Sequence, residues 1–180
     1  EAERKLGIPV LAGVPVLKDK AATISEIDDE KKVDWSFREA IRTIRSSVLL
    51  SYTDTPLTIL VTSSVGSEGK SVVALNLAKA FAHSGRTLLI DADLRRPTLP
   101  ALRETPGLAE LLAGEAALEQ CITHTGITTL DLIGAGSVPP DPLQLLSSPR
   151  LAAALAAPAG TAAQDAPFGW RFMFPVEFLC

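Results

Sequence analysis

The sequence contains few of the residues that mark several protein classes. Its 180 residues include two cysteines, one methionine and one tyrosine, and 17 Lys and Arg stand against 21 Asp and Glu. Cys121 and Cys180 lie in no CxxC or Cys/His cluster, so neither a zinc site nor a disulfide framework is indicated and a reducing cytoplasm fits best. The formal net charge of −4 opposes a general attraction to nucleic acid, so DNA and RNA are not expected as main partners.

Long hydrophobic runs are also missing. The longest run of small apolar residues, Leu151 to Ala163, is interrupted by Pro158 and Gly160 and falls short of the roughly 20 residues that a membrane-spanning helix needs. A composition of 47% hydrophobic and 21% charged residues is typical of one globular domain with a single core. Because the chain begins at Glu1 and its only methionine is Met173, we expect it to be a piece of a longer protein.

The sequence divides into three parts. Residues 1–33 combine a proline-containing apolar stretch with a charged run and are predicted to be a lead-in and linker. Residues 34–157 show the alternation of strand and helix patterns expected of a nucleotide-binding domain. Residues 158–180 are rich first in Ala, Gly and Pro and then in aromatic residues, with no periodicity that assigns a structure. They are therefore left as an unassigned tail.

Within the central part, short apolar strands alternate with amphipathic helices. Ser36 and Glu39 form a capping-box pattern that predicts a helix from Ser36 to about Leu50. A second helix is predicted to begin at Lys70 and to be closed by Gly85. The remaining predicted elements are the strands 58–62, 87–90 and 130–133 and the helices 108–112 and 149–157. Strand, helix and strand in this spacing predict a right-handed βαβ unit with parallel strands, and hence an α/β sheet.

A variant P-loop follows the first strand. Glycines let backbone amides converge on phosphate oxygens, the following helix N-terminus adds positive potential, Lys70 can reach the terminal phosphates, and the Ser71 hydroxyl can ligate magnesium. The predicted nucleotide-binding residues are Ser64, Val65, Gly66, Ser67, Glu68, Gly69, Lys70, Ser71 and Val72. The expected ligand is a purine nucleoside triphosphate, ATP with Mg²⁺.

The P-loop match is imperfect, because the strict pattern G-x-x-x-x-G-K-[ST] has glycine where this chain has Ser64. The alternative is a Gly/Ser turn that joins a strand to a helix by chance. Strand, loop, G-K-S and amphipathic helix arrive in the required order, which favours the P-loop.

Two carboxylates end the next apolar strand. Asp91 and Asp93 are predicted to lie at the carboxyl edge of the sheet, where ligands bind in such folds, and their strand is expected to lie beside the P-loop strand. They could hold Mg²⁺ through water or accept a proton. The alternative is that Asp93 only caps a turn and Asp91 is a solvated strand end. Arg95 and Arg96, which follow, are either phosphate contacts or solvated side chains.

A third group lies on the first helix. Glu39, Arg42 and Arg45 form the pattern E-x-x-R-x-x-R, whose three-residue steps keep them on one broad helical face. From spacing alone, the favoured interpretation is a capping glutamate with two solvated arginines.

Five segments in order resemble the cytoplasmic domain of the bacterial tyrosine kinases, autokinases that act in capsule and exopolysaccharide synthesis and export. They are LGIPVLAGVPVL, FREAIRTIRSSVLLS, TSSVGSEGKS, LLIDADLRRPTL and LIGAGSVPPDPLQLLSSPRL, and they lie between Glu3 and Leu155.

The resemblance implies a P-loop NTPase-like parallel sheet with helices on both faces. It implies an ATP and Mg²⁺ site in which Lys70, Asp91 and Asp93 are catalytic and Ser71, Asp91 and Asp93 serve the metal. It gives Glu39, Arg42 and Arg45 a role in subunit contacts that build a ring. It also implies a membrane adaptor of the polysaccharide chain-length type, fused upstream or separate, and a location at the cytoplasmic face of the bacterial inner membrane.

The sequence departs from this family at its end. Members continue into an apolar strand that ends in a third catalytic aspartate and then into a tyrosine-rich C-terminus. Here the sole tyrosine is Tyr52, and the only acidic residues after Leu155, Asp165 and Glu177, are not expected to end an apolar strand. We therefore expect a truncated or frame-shifted end, a sheet that lacks an inner strand, and weak nucleotide binding without autophosphorylation.

The sequence is compatible with two other functions. One is a non-catalytic nucleotide-binding assembly module. The other is a partitioning-type ATPase, although those proteins carry a signature lysine early in the loop where this chain has Val65.

Overall fold

The computed structural model describes residues 7–17, 34–52, 57–66, 68–97 and 106–156 and the backbone of 171–175. The described part of the chain contains six helices and five strands. In chain order they are α1 Trp35–Ser51, β1 Thr58–Val61, α2 Lys70–Ala82, β2 Thr87–Ile90, α3 Leu108–Ala113, α4 Leu118–Cys121, β3 Ile122–His124, β4 Leu130–Ile133, α5 Pro142–Leu146, α6 Pro149–Ala156 and β5 Arg171–Pro175.

The five strands form one sheet in the order β1-β5-β2-β4-β3. Strands β1, β5, β2 and β4 are mutually parallel, and β3 runs antiparallel to β4 at one edge. The predicted α/β fold with a mainly parallel sheet is confirmed. The predicted strands at 58–62, 87–90 and 130–133 each match within one residue, whereas β3 was not predicted.

The tail prediction is wrong in one important respect. Residues 171–175, left without a structure from sequence, form β5, which lies between β1 and β2. Thr58 pairs with Phe172 on one side of β5, and Thr87 pairs with Arg171 on the other. The inner strand that we expected to be missing is therefore supplied by the tail. The prediction that the P-loop strand β1 lies beside β2 is also wrong, because β5 lies between them.

Helices cover both faces of the sheet. On one face, α1 and α2 pack against Leu89, Leu130 and Leu132. On the other face, α3 to α6 pack against residues from the same two strands, Leu88, Ile90 and Ile133. Because successive side chains of a strand point to opposite faces, this division follows directly from the strand geometry. All four residues of β2 and of β4 are buried, as expected for strands covered on both sides.

The first helix begins one residue earlier than predicted and has a different cap. Asp34, not Ser36, is the N-cap, and its carboxylate accepts a hydrogen bond of 2.7 Å from the Ser36 backbone N–H. The Ser36 hydroxyl also donates to this carboxylate. Glu39 bonds to Arg42 instead of the cap. The predicted capping box is therefore wrong.

The second helix also ends differently. Its C-cap is His83, in a right-handed conformation, and not Gly85. Gly85 instead lies in the connection to β2, and its N–H donates to the Ala82 carbonyl at 3.5 Å.

A half-buried carboxylate, that of Glu110, joins α3 to the loop after β4. Glu110 Oε2 accepts from the Gly107 N–H at 2.8 Å, and Oε1 accepts from the Ser137 N–H at 2.9 Å. The backbones approach closely here, since a Cβ on Gly107 would lie 2.2 Å from the Gly136 nitrogen. Only glycine therefore fits at position 107 without a shift of the backbone.

No helix among the described residues is long and apolar enough to span a bilayer.

Candidate nucleotide-binding site

The predicted P-loop connects the carboxyl end of β1 to the amino end of α2. Gly69 is the N-cap of α2 and has a φ of 88°, a left-handed conformation that favours glycine. The Gly69 carbonyl accepts from the Val73 N–H at 2.9 Å, so the helical hydrogen bonding begins within the loop sequence. The chain thus directs the first amides of α2 toward the loop, as an anion-binding helix terminus requires.

Lys70 and Ser71 open the helix. Lys70 is 9% exposed, an unusual burial for a lysine, and Ser71 is half-buried. Burying an ammonium group costs free energy unless it faces negative charge. The position is therefore suited to a lysine whose partner is anionic.

The loop itself is exposed and is crossed by one acidic side chain. Glu68 Oε2 accepts from the Val65 N–H at 3.4 Å and from the Ser64 hydroxyl at 3.5 Å. The Ser63 hydroxyl donates to the Val65 carbonyl at 2.7 Å. These contacts draw the two sides of the loop together. Ser67, also predicted to bind nucleotide, lies outside the described residues.

Asp91 and Asp93 follow β2 directly and are both buried, at 0% and 6% exposure. The Asp93 N–H donates to Asp91 Oδ1 at 3.1 Å, and the Arg96 N–H donates to Asp93 Oδ1 at 2.9 Å. Asp93 thus does cap a turn, as the alternative interpretation held. Asp91, by contrast, is not a solvated strand end.

The P-loop and the two aspartates lie at the same edge of the sheet, because β1 and β2 are both parallel to β5 and each feature follows a carboxyl end. One strand separates them. Two strand spacings of about 4.8 Å place β1 and β2 about 10 Å apart, a gap that a triphosphate and its metal can bridge. The described residues of β5, Arg-Phe-Met-Phe-Pro, include no carboxylate.

The side-chain oxygens at this edge of the sheet are of the kind that bind Mg²⁺. Ser71 offers a hydroxyl, and Asp91 and Asp93 offer buried carboxylates, all hard oxygen ligands of the kind that Mg²⁺ prefers. Among the residues that the structure describes, no group of three His, Cys, Asp or Glu could hold a metal ion by itself. The residues therefore fit a metal that is bound together with phosphate and water, which is how Mg²⁺ accompanies nucleotides.

Comparison with known proteins gives a consistent assignment, although no protein-family model matches the chain. The chain is 40% identical over 115 residues to the tyrosine-protein kinase YwqD of Bacillus subtilis, covering 61% of this chain and 48% of that protein. Among solved structures, the chimerical protein CapA2B2 is 30% identical with a TM-score of 0.71, and 97% of this chain matches 74% of that one. The kinase domain of the Escherichia coli tyrosine kinase ETK is 29% identical with a TM-score of 0.77, over 97% and 72%.

The chain belongs to the bacterial tyrosine-kinase domain family. It spans about half the length of the curated relative YwqD. The predicted family is confirmed, and with it the P-loop α/β fold of a nucleotide-binding domain.

The third group predicted from sequence lies on α1 of this kinase domain, apart from the loop. Arg42 Nη1 and Glu39 Oε1 form an ion pair of 2.8 Å between side chains that are 67% and 40% exposed. Arg45 is half-buried. The structure therefore places Glu39 and Arg42 on the exposed surface of α1 and brings neither into contact with the P-loop residues.

Sequence reasoning missed one feature of the kinase domain beside this group. A solvent-open groove runs between α1 and α2 and is lined by Phe37, Arg38, Ile41, Arg42, Arg45, Asn76, Lys79, Ala80 and His83. The spacing of Arg38, Arg42 and Arg45 at i, i+4 and i+7 was a usable signal for a basic helical face. The second wall comes from α2 and depends on how the two helices pack.

Proposed function

We propose that this chain is the ATP-binding domain of a bacterial protein-tyrosine autokinase that acts in exopolysaccharide or capsule synthesis and export. The observation that carries the proposal is the pairing of a P-loop with two buried carboxylates at one edge of a parallel sheet. Asp91 and Asp93 are almost inaccessible to solvent. Carboxylates that follow a strand at the same sheet edge as a phosphate-binding loop are suited to hold Mg²⁺ together with a nucleotide.

In this proposal, one group of residues binds the phosphates and another binds the metal. Lys70 and the amides of residues 64–72 bind and orient the phosphates, and Ser71, Asp91 and Asp93 would hold Mg²⁺. Mg²⁺ held there would supply positive charge to balance that of the transferred phosphoryl group. Either aspartate can also accept the proton of an incoming tyrosine hydroxyl. Catalysis of phosphoryl transfer depends mainly on such positioning and charge stabilisation.

A second part of the proposal concerns assembly. We propose that the surface containing Glu39, Arg42 and Arg45 contacts a second copy, so that one subunit of a ring presents tyrosines to the next. The exposure of Glu39 and Arg42 on α1 supports this role. The partner upstream would be a membrane adaptor of the polysaccharide chain-length type, which places the domain at the cytoplasmic face of the bacterial inner membrane.

One observation favours a second candidate, a nucleotide-binding assembly module without kinase activity. β5, which ends between the P-loop and Asp91, carries no carboxylate. Among the described residues, two carboxylates, Asp91 and Asp93, therefore lie at this edge, where the family resemblance implies three.

A transfer assay separates the two candidates. Because Tyr52 is the sole tyrosine, a Tyr52→Phe variant is free of tyrosine, and any phosphotyrosine must lie on an added acceptor peptide. With labelled ATP and Mg²⁺, the kinase proposal predicts phosphotyrosine on the peptide that disappears in a Tyr52→Phe, Lys70→Ala double variant. ATP binding without any transfer would establish the assembly module instead.

A further inference from the structure

The side chain of Glu68 contacts two hydrogen-bond donors of the predicted P-loop. Its Oε2 accepts from the Val65 N–H at 3.4 Å and from the Ser64 hydroxyl at 3.5 Å. Both donors belong to the loop that is predicted to hold phosphate. Carboxylate and phosphate oxygens are acceptors of the same kind, so they compete for the same N–H groups. Glu68 thus makes within the chain a contact that a bound phosphate would otherwise make.

The position of Glu68 in the chain favours this contact. Glu68 directly precedes Gly69, the N-cap of α2. The N-terminus of a helix attracts negative charge, whether a side-chain carboxylate or a phosphate group carries it. The Glu68 carboxylate is therefore stabilised by the same positive potential that the loop offers to its ligand.

The carboxylate and a phosphate group exclude each other at this part of the loop. A triphosphate carries several negative charges, and like charges at close range repel. A backbone N–H is also a single donor, so it forms one well-aligned hydrogen bond at a time. Binding of phosphate to the Val65 N–H therefore requires the Glu68 side chain to move away.

The structure allows this movement. Glu68 is exposed and both of its contacts are long, so water can replace them. The Ser63 hydroxyl holds the Val65 carbonyl separately, at 2.7 Å. The loop therefore keeps one of its internal hydrogen bonds when Glu68 leaves.

We propose that Glu68 is an internal competitor of the phosphates, which ATP must displace from Val65 and Ser64 in order to bind. This inference rests on the proposed function, since it assigns a residue that sets the affinity of the same site. The apparent affinity of a ligand falls in proportion to the fraction of molecules whose site is open. A contact that is formed in about nine-tenths of the molecules would weaken ATP binding about tenfold.

Calorimetric titration of ATP and Mg²⁺ into Glu68 variants tests the competition. Glu68→Ala removes both the acceptor and the charge, so we expect it to bind ATP about tenfold more tightly than wild type does. Glu68→Gln keeps a neutral acceptor and should be intermediate. The control is Glu119→Gln, which removes an exposed carboxylate on α4, near the opposite edge of the sheet from β1, and should bind as wild type does. Equal or weaker binding by Glu68→Ala would overturn the proposal.

A Glu68→Asp variant separates the contact from the effect of charge alone. Aspartate keeps the negative charge but is one methylene shorter, so its reach to the Val65 N–H is reduced. We expect this variant also to bind ATP more tightly than wild type does. If Glu68→Gln binds more tightly and Glu68→Asp binds as wild type does, charge alone is responsible and the proposed contact is overturned.

The Val65 amide proton reports the contact without any nucleotide. A hydrogen bond to a carboxylate moves an amide proton resonance downfield, so the Val65 resonance in NMR spectra should move upfield in Glu68→Ala and stay in place in Glu119→Gln. An unchanged Val65 resonance in Glu68→Ala would overturn the contact, however tightly that variant binds ATP.

A second ligand distinguishes failure of this inference from failure of the proposed function. If no variant binds ATP, the proposed function fails, and tripolyphosphate, which carries the phosphates without the nucleoside, is titrated instead. Tighter binding of tripolyphosphate by Glu68→Ala would support the competition by itself. Absence of tripolyphosphate binding in all variants would overturn it. If ATP binds wild type and Glu68→Ala equally, the proposed nucleotide site stands and only the role of Glu68 is refuted.

Discussion

Met173 of β5 pairs with Leu89 of β2, and on its other side with Ile59 of β1. The ladder is parallel on both sides, so the tail strand is an inner strand of the sheet. Each backbone N–H within such a strand faces one neighbour or the other. The integrity of the nucleotide edge therefore depends on residues near the end of the chain.

Replacing Met173 with proline should destabilise the whole domain. Proline in the middle of an inner strand removes a ladder N–H, so we expect a loss of about 3 kcal/mol or more in the free energy of unfolding. Met173→Leu keeps the backbone donor and serves as the control. Urea unfolding measures both. If the proline variant unfolds at the same urea concentration as the control, β5 does not belong to the sheet.

The failure to predict β5 has a physical reason. Inner parallel strands are buried on both faces and show no alternation of polar and apolar residues, so a short run such as RFMFP looks the same as an aromatic loop. Strand β2 was predictable because it combines the run TLLI with a preceding helix and a following pair of aspartates. Residue pattern alone does not specify which strand lies between β1 and β2.

The local errors have a similar origin. Asp34 and Ser36 are both favourable N-cap residues two positions apart, and the spacing of Ser36 to Glu39 satisfied the capping-box rule. The structure uses the earlier residue. Glu39 was then available for Arg42. By contrast, the P-loop could be predicted because its residues are contiguous in sequence, whereas the groove needs two helices packed together.

The Glu110 carboxylate should make stability dependent on pH. Its burial acts to raise its pKa, but hydrogen bonds from Ser137 and Gly107 outweigh that effect, and the pKa lies below the ordinary value of 4.5. Because the folded pKa is depressed, the stabilisation is fully present above the unfolded pKa and is lost as the pH falls through the folded pKa.

A Glu110→Gln variant tests this dependence. We expect its free energy of unfolding at pH 7 to be about 1 kcal/mol lower than that of wild type. Glutamine keeps one acceptor oxygen, so one of the two hydrogen bonds of Glu110 is lost, and the site is only partly buried. The difference from wild type should shrink as the pH falls below about 4. Glu115→Gln, at an exposed position of the next turn, is the control. A difference that stays constant down to pH 3 would contradict the assignment.

The proposed subunit contact predicts a change in mass. Replacing Glu39, Arg42 and Arg45 together with alanine should lower the oligomer mass of a full-length form in light scattering, because the contacts across the interface are lost. Alanine is a strong helix former, so α1 should persist in circular dichroism. An unchanged mass would contradict the proposed contact and would mean that these residues are solvated side chains on the surface of α1.

The central claim, that residues 64–72 bind ATP, is tested most directly by calorimetric titration of ATP and Mg²⁺ into the folded chain and its Lys70→Ala variant. A charge-assisted contact to phosphate contributes about 1.5 to 3 kcal/mol, so we predict at least a tenfold loss of affinity. Lys79→Ala, at 8% exposure on the same helix, removes a second buried lysine and should bind ATP as wild type does. Equal affinity of wild type and Lys70→Ala would contradict the account.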